Sequence, residues 1–127
     1  MKLLALAHRY GGDPAQLPIA EDVETSLSLF LAPHAVVVAP WIRMCRVVPE
    51  TPASRVIGLR GTCAFIERVD ALVVASAPSP GVDQEIEAAI RYGKKVFYLP
   101  THTDDPAVVL ARHDALYAIL AWAQGDA

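Results

Sequence analysis

The sequence predicts an α/β protein: a doubly wound, mostly parallel sheet of four to five strands flanked by helices, Rossmann-like or flavodoxin-like. Two observations carry this expectation. Short apolar runs at Leu3–Ala7, Ala35–Ala39, Ala71–Ala75 and Lys95–Leu99 read as strands, and the first is typical of a strand buried on both faces. Helical segments separate them, and strict alternation of strand and helix builds a parallel sheet with right-handed crossovers. Residues 70–99 show the pattern best. An apolar run, a small-residue loop, an amphipathic helix and a second apolar run follow without a gap, the order of a βαβ unit.

Taken in order, the first strand is expected at Leu3–Ala7 and a loop over His8–Pro18, with the turn signal Gly11-Gly12-Asp13-Pro14. A helix follows, with Val23, Leu27, Phe30 and Leu31 at helical spacing. Glu21, Asp22 and Glu24 are expected in its first turn, where the dipole favours them, and Pro33 stops it. After the second strand, the prolines of Pro40–Ala53 predict irregular chain, with Trp41 and Met44 in a loop. A helix is expected over Ser54–Val69, weakened by Gly58 and Gly61 at about 1 kcal/mol each. These glycines share a face, which fits close packing against another backbone, including that of a second subunit. The next helix is expected over Val82–Tyr92, ended by Gly93. Asp105 and Pro106 open a last helix that runs to about Ala123. Ligands bind such sheets at the carboxyl ends of the strands. His8–Asp13, Pro40–Arg46, Ser76–Gly81 and Thr101–Asp105 are therefore expected to form one rim.

A chain of 127 residues is expected to form one domain, spanning 1–127, with a sizeable core. It is 54% apolar, yet no apolar run reaches the roughly 18 residues that span a bilayer. The apolar start is short and meets His8-Arg9-Tyr10-Gly11-Gly12 at once, so it reads as a buried strand and not as a signal peptide. A cytoplasmic protein without a membrane partner is expected. Net charge is −3 and the basic residues are scattered, which argues against polymeric nucleic acid as a partner. A single nucleotide stays compatible, because a helix N-terminus and one or two arginines can hold a phosphate. Cys45 and Cys63 are not a close pair and are expected to be reduced thiols. His8, His34, His102 and His113 show no ligand spacing, so no metal site is expected.

The chemistry concentrates near Glu85. At roughly 100° per residue, Val82, Ile86, Ala89 and Ile90 form the apolar arc of their helix, while Asp83, Glu87 and Arg91 face solvent. Glu85 falls at the edge of the buried arc, in the first turn, directed at the rim. Ser79 and Gly81 sit in a Ser-Pro-Gly turn that offers a hydroxyl and backbone N–H groups to an anion. Asp70, just before the third strand, reads on pattern alone as a turn residue.

Asp70-Ala-Leu-Val-Val-Ala, Pro78-Ser-Pro-Gly-Val-Asp-Gln-Glu85, Ala89 and Gly93-Lys-Lys-Val together resemble the signature of the nucleoside 2-deoxyribosyltransferase superfamily. The match is nearer to its short members, the 2′-deoxynucleoside 5′-monophosphate N-glycosidases and the phage and bacterial proteins similar to them. Ala7-His8-Arg9-Tyr10-Gly11-Gly12 resembles the family's first strand and its Gly-containing substrate loop. Ala39-Pro40-Trp41 and Gly58-Leu59-Arg60 resemble the phage and bacterial branch. The likeness touches most of residues 3–99; residues 100–127 carry no signature.

The resemblance implies cleavage or transfer at the N-glycosidic bond of a (deoxy)nucleoside or nucleoside 5′-monophosphate. Glu85 would be the nucleophile, forming a covalent glycosyl-enzyme, a fitting role because a carboxylate traps an oxocarbenium-like centre. Asp70 would assist the departing base, Ser79 would hold the 5′-phosphate, and Tyr10 would lie near the sugar. Gly11, Gly81, Arg9 and Trp41 complete the expected binding set, with no cofactor and no metal. The family's habit of completing its site from a neighbouring subunit implies a homodimer or higher homo-oligomer. Two departures stand out. His8 and Arg9 are bulky and cationic where the family carries small or hydroxyl residues, so Arg9 could meet a phosphate or block the pocket. Asp83, two residues before Glu85, is expected to raise the pKa of Glu85. These departures favour an alternative, a nucleotide-binding or sensor module without catalysis.

Overall fold

Strand β1 (Lys2–Ala7) alternates large and small apolar residues, and the two faces of the sheet are built accordingly. Leu4 and Leu6 enter one core cluster, and Ala5 and Ala7 enter another on the opposite face. The computed structural model describes residues 1–100 and 104–125. Its remaining elements are α1 (Gln16–Leu31), β2 (Ala35–Val38), α2 (Pro40–Val47), α3 (Pro52–Ile66), β3 (Ala71–Val74), α4 (Pro80–Arg91), β4 (Lys95–Tyr98) and α5 (Pro106–Ala123). The sheet is four-stranded with order β2-β1-β3-β4, and every pair is parallel. Leu4 is in register with Val37 on one side and Ala71 on the other.

Helices cover both faces. α1 and α5 contribute Leu17, Ala20, Leu27, Leu31, Ile119 and Ala123 to the leucine side. α3 and α4 contribute Ile66, Val82, Ala88 and Ala89 to the alanine side. Small residues on both surfaces let α4 lie directly over β1, β3 and β4. The chain runs from β1 to β2 in one direction, then crosses back past β1 to β3. The direction of winding thus reverses between β1 and β3, and the loops leaving those strands diverge to open a crevice. The expected α/β class and parallel sheet are what the chain adopts.

Several local expectations need correction. α1 begins at Gln16, so Glu21, Asp22 and Glu24 lie beyond its first turn. Two of the three tether neighbouring elements: Glu24 accepts a hydrogen bond from Ala39 N (2.6 Å) and Glu21 pairs with Arg46. Phe30 and Ile90, expected in the core, are 36% and 67% exposed. Phe30 instead stacks edge-on against Tyr117, with ring centroids 5.6 Å apart. Pro40 opens a helix where irregular chain was expected, because proline is pre-organised for the first helical position and Trp41 and Ile42 give α2 a buried face. α3 starts at Pro52, with Thr51 as its cap in a reciprocal pairing with Ser54. Gly58 packs against Met44 of α2 within the chain, and nothing lies near Gly61. The shared glycine face therefore serves an internal contact at one of its two positions. Among the described residues, no helix is long and apolar enough to cross a membrane.

Candidate active site

The crevice between the loops after β1 and β3 is roofed by α2 and α3. It forms a cleft of about 670 Å³, its open mouth included. β1 delivers His8, Tyr10 and Gly11 to it, α2 delivers Trp41, Met44 and Cys45, and the start of α4 delivers Ser79, Gly81 and Glu85. Six of the eight residues expected to form the site, Glu85, Tyr10, Ser79, Gly81, Gly11 and Trp41, thus line one cleft. Of the four expected rim loops, the last falls largely on residues 101–103, outside the described residues.

Asp70 and Arg9 are not brought there. Asp70 sits at the amino end of β3, the opposite end of the sheet, in a shallow depression with Met1, Lys2, His34 and Gln124. Its carboxylate accepts a hydrogen bond from Leu3 N at 2.8 Å, joining the starts of two strands. The sequence places Asp70 before its strand, and parallel strands put all such residues on the face away from the cleft. Arg9 is exposed, does not line the cleft, and donates its backbone N–H to Ser76 Oγ at 2.8 Å. Its expected meeting with a phosphate has no support in this geometry.

Glu85 is the most unusual group in the cleft. It lies on the buried face of α4 among Val82, Ala88 and Ala89 and is only 6% exposed. Its Oε2 is the one enclosed side-chain polar atom among the described residues without a hydrogen-bond partner. Burial pushes its pKa from 4.5 to about 8, so the carboxyl is held largely protonated at neutral pH. Asp83 is exposed and plays no part in that displacement, contrary to expectation. An unpaired buried carboxyl costs stability, and such a cost is kept where a group has work to do.

The surrounding walls are mixed. Ser79 caps α4, its Oγ accepting from Val82 N at 3.2 Å, and places that helix N-terminus at the cleft. Gly11 and Gly12 adopt positive φ (+60° and +75°), which turns the β1 loop back over the opening. A Cβ at Gly12 would meet only the movable end of the Glu50 side chain, so the positive φ is what favours glycine there. Trp41 donates its indole N–H to Leu6 O at 3.1 Å, which fixes its ring beside Tyr10 at a centroid distance of 6.5 Å. Tyr10 and Cys45 are both raised above their ordinary pKa values, chiefly by burial, and both stay neutral at pH 7. At the mouth, Arg55 and Glu50 form a long ion pair of 3.9 Å. Among the described residues no cluster of His, Cys, Asp and Glu is placed to hold a metal ion.

The expected binding set omitted His8, Cys45, Glu50, Arg55 and Thr62, although the first two lie in the expected rim loops. His8 was legible as the first residue after β1, the position that faces a crevice in this topology. Glu50, Arg55 and Thr62 had no such signal, because they depend on how α3 folds across the opening. Fold and cleft together define a Rossmann-like α/β protein with a buried acid at its topological switch point. No family model matches the chain, and no curated protein matches it.

Proposed function

We propose that the protein cleaves or transfers the N-glycosidic bond of a (deoxy)nucleoside or nucleoside 5′-monophosphate, with Glu85 as the group that attacks the anomeric carbon. The observation that carries the reading is the unpaired, enclosed carboxyl of Glu85 in a cleft that also holds the capped N-terminus of α4. A carboxylate there would stabilise an oxocarbenium-like centre and trap it as a glycosyl ester. Ser79, Gly81 and the N-terminus of α4 suit a 5′-phosphate, because the Ser79 hydroxyl, the Gly81 N–H and the helix dipole favour an anion, while Val82 N and Asp83 N are bonded within the cap. Tyr10 and Trp41 offer flat apolar surface for a base. Water or a second base would accept the glycosyl group.

Incubation with the four deoxynucleoside monophosphates and their nucleosides should release free base, detected by liquid chromatography. Glu85→Ala should abolish the release; turnover that survives it would sink the assigned mechanism. The second reading is a nucleotide-binding module without catalysis. It is favoured by the protonated state of Glu85 at neutral pH, since a neutral carboxyl is a poor nucleophile. Calorimetric nucleotide binding with no base release over hours would select it.

A further inference from the structure

The glycosidic reading leaves two needs unmet. Glu85 must lose its proton before it attacks, and the departing base must gain one. Asp70 can serve neither need from the far end of the sheet. The cleft itself holds His8, Tyr10, Cys45, Glu50, Arg55 and Glu85 as its titratable groups among the described residues.

His8 is distinguished by its geometry. It is only 7% exposed and lines the cleft at the carboxyl end of β1. Its Nδ1 lies 2.9 Å from the carbonyl oxygen of Arg9. A carbonyl can only accept, so the proton resides on Nδ1 and Nε2 carries the lone pair. Nε2 has no hydrogen-bond partner among the described residues, yet it is not sealed off as Glu85 Oε2 is. The accessible atom of this buried ring is therefore a proton acceptor. Its one constraint, the bond to Arg9 O, is the kind that holds an imidazole in a single tautomer. Resting on the glycosidic reading, we infer that His8 carries the proton of Glu85 to the departing base.

The step balances. The Glu85 carboxyl proton passes through cleft water to His8 Nε2, since no hydrogen bond joins the two side chains directly, leaving a carboxylate and an imidazolium. The carboxylate electron pair forms the bond to the anomeric carbon as the C–N bond breaks, and that bonding pair goes to the base. The imidazolium gives the Nε2 proton to the base nitrogen and returns to neutral. In hydrolysis, His8 takes a proton from the attacking water and returns it to Glu85 as the ester bond opens. The burial that holds His8 neutral and Glu85 protonated sets the starting state. The other cleft groups suit the relay less well: Tyr10 and Cys45 hold their protons more tightly than usual, and Glu50 is engaged with Arg55.

The test compares wild type, His8→Asn and Glu85→Ala on 2′-deoxyguanosine 5′-monophosphate and its N7-methylated form, whose base departs without gaining a proton. Asn keeps an N–H donor for Arg9 O and lacks the distal nitrogen. His8→Asn should lose about 10²-fold or more in kcat on the ordinary nucleotide, but no more than about tenfold at pH 7 on the methylated one, where only the ionisation of Glu85, with its pKa of about 8, still calls on His8. Glu85→Ala should lose both activities. Equal loss on the two substrates, or no loss on either, overturns the relay while the glycosidic reading stands. So does wild-type cleavage of the methylated form alone. Base release from neither substrate by wild type overturns the glycosidic reading and the relay with it. Nitrogen NMR of the wild-type imidazole gives a readout that needs no variant: the proton should sit on Nδ1, and a protonated Nε2 at neutral pH overturns the proposal.

Discussion

Glu85→Gln removes one ionisable group and little volume, so its effect on stability isolates the cost of burying that carboxyl. The folded protein binds the Glu85 proton with a pKa of about 8, against 4.5 ordinarily. Between those values the native state keeps the proton while the unfolded chain has released it. Stability therefore falls as pH rises through this window, by about 1.4 kcal/mol per pH unit, and levels off above about 8. Integrated over the window, Glu85 withdraws about 5 kcal/mol, comparable with the whole stability of many domains. Gln bears no such penalty. Urea unfolding of both proteins from pH 5 to pH 9 should give curves that nearly meet at the acid end. They should diverge by several kcal/mol at pH 9, with the variant more stable. The other titrating groups cancel in the difference. His8, whose folded pKa is lowered by burial, takes stability from both proteins as pH falls below 6.5. Parallel curves across the range would refute the buried, unpaired state of the carboxyl.

Four further outcomes test the fold and the cleft separately. Gly61→Ala should stabilise the protein by up to about 1 kcal/mol in urea titration, because α3 gains helix propensity and nothing lies near enough to clash. Asp70→Ala should cost about 1 kcal/mol by losing its bond to Leu3 N, with kcat for base release unchanged; a collapse of kcat would restore Asp70 to the chemistry. Ser79→Ala should cost about 1 kcal/mol through the lost α4 cap and weaken monophosphates more than nucleosides in calorimetry. Glu50→Gln removes a negative charge beside Arg55 and frees that guanidinium, so the preference for monophosphate over nucleoside should rise by up to about tenfold. An unchanged or lower preference would show that the Arg55 guanidinium does not meet the phosphate.

The alternation of apolar runs with helical segments was enough to give the parallel sheet: the central strands β1 and β3 are almost wholly buried and need near-continuous apolar sequence, while the edge strands β2 and β4 are only partly covered. Strand ends were legible to within a residue or so. Helix starts were less legible where proline stood. Pro40 and Pro52 read as breaks in a linear scan, yet each occupies the first turn of a helix, where its missing N–H costs nothing. The acidic run Glu21–Glu24 misled in a related way. It looks like the negative first turn of a helix, but α1 had begun at Gln16, and two of those carboxylates are held by partners distant in sequence.

Glu85 was found for an incomplete reason. Anchoring the arc of α4 on Ile90 put Glu85 at the edge of the buried face. The chain instead exposes Ile90 and buries Ala88, which rotates the arc until Glu85 stands between Ala88 on one side and Ala89 and Val82 on the other. Small side chains decide this. An alanine face lets α4 approach the sheet, and an isoleucine at the same seam would hold it off. The closeness that packs α4 is also what strips water from the carboxyl, so the backbone arrangement and the raised pKa have one origin. Asp83 could not have shown it, because its effect on a neighbour depends on sharing a face, and it shares none with Glu85. The sequence carried the acid and its helix; the proton it keeps at neutral pH came from the packing of two alanines.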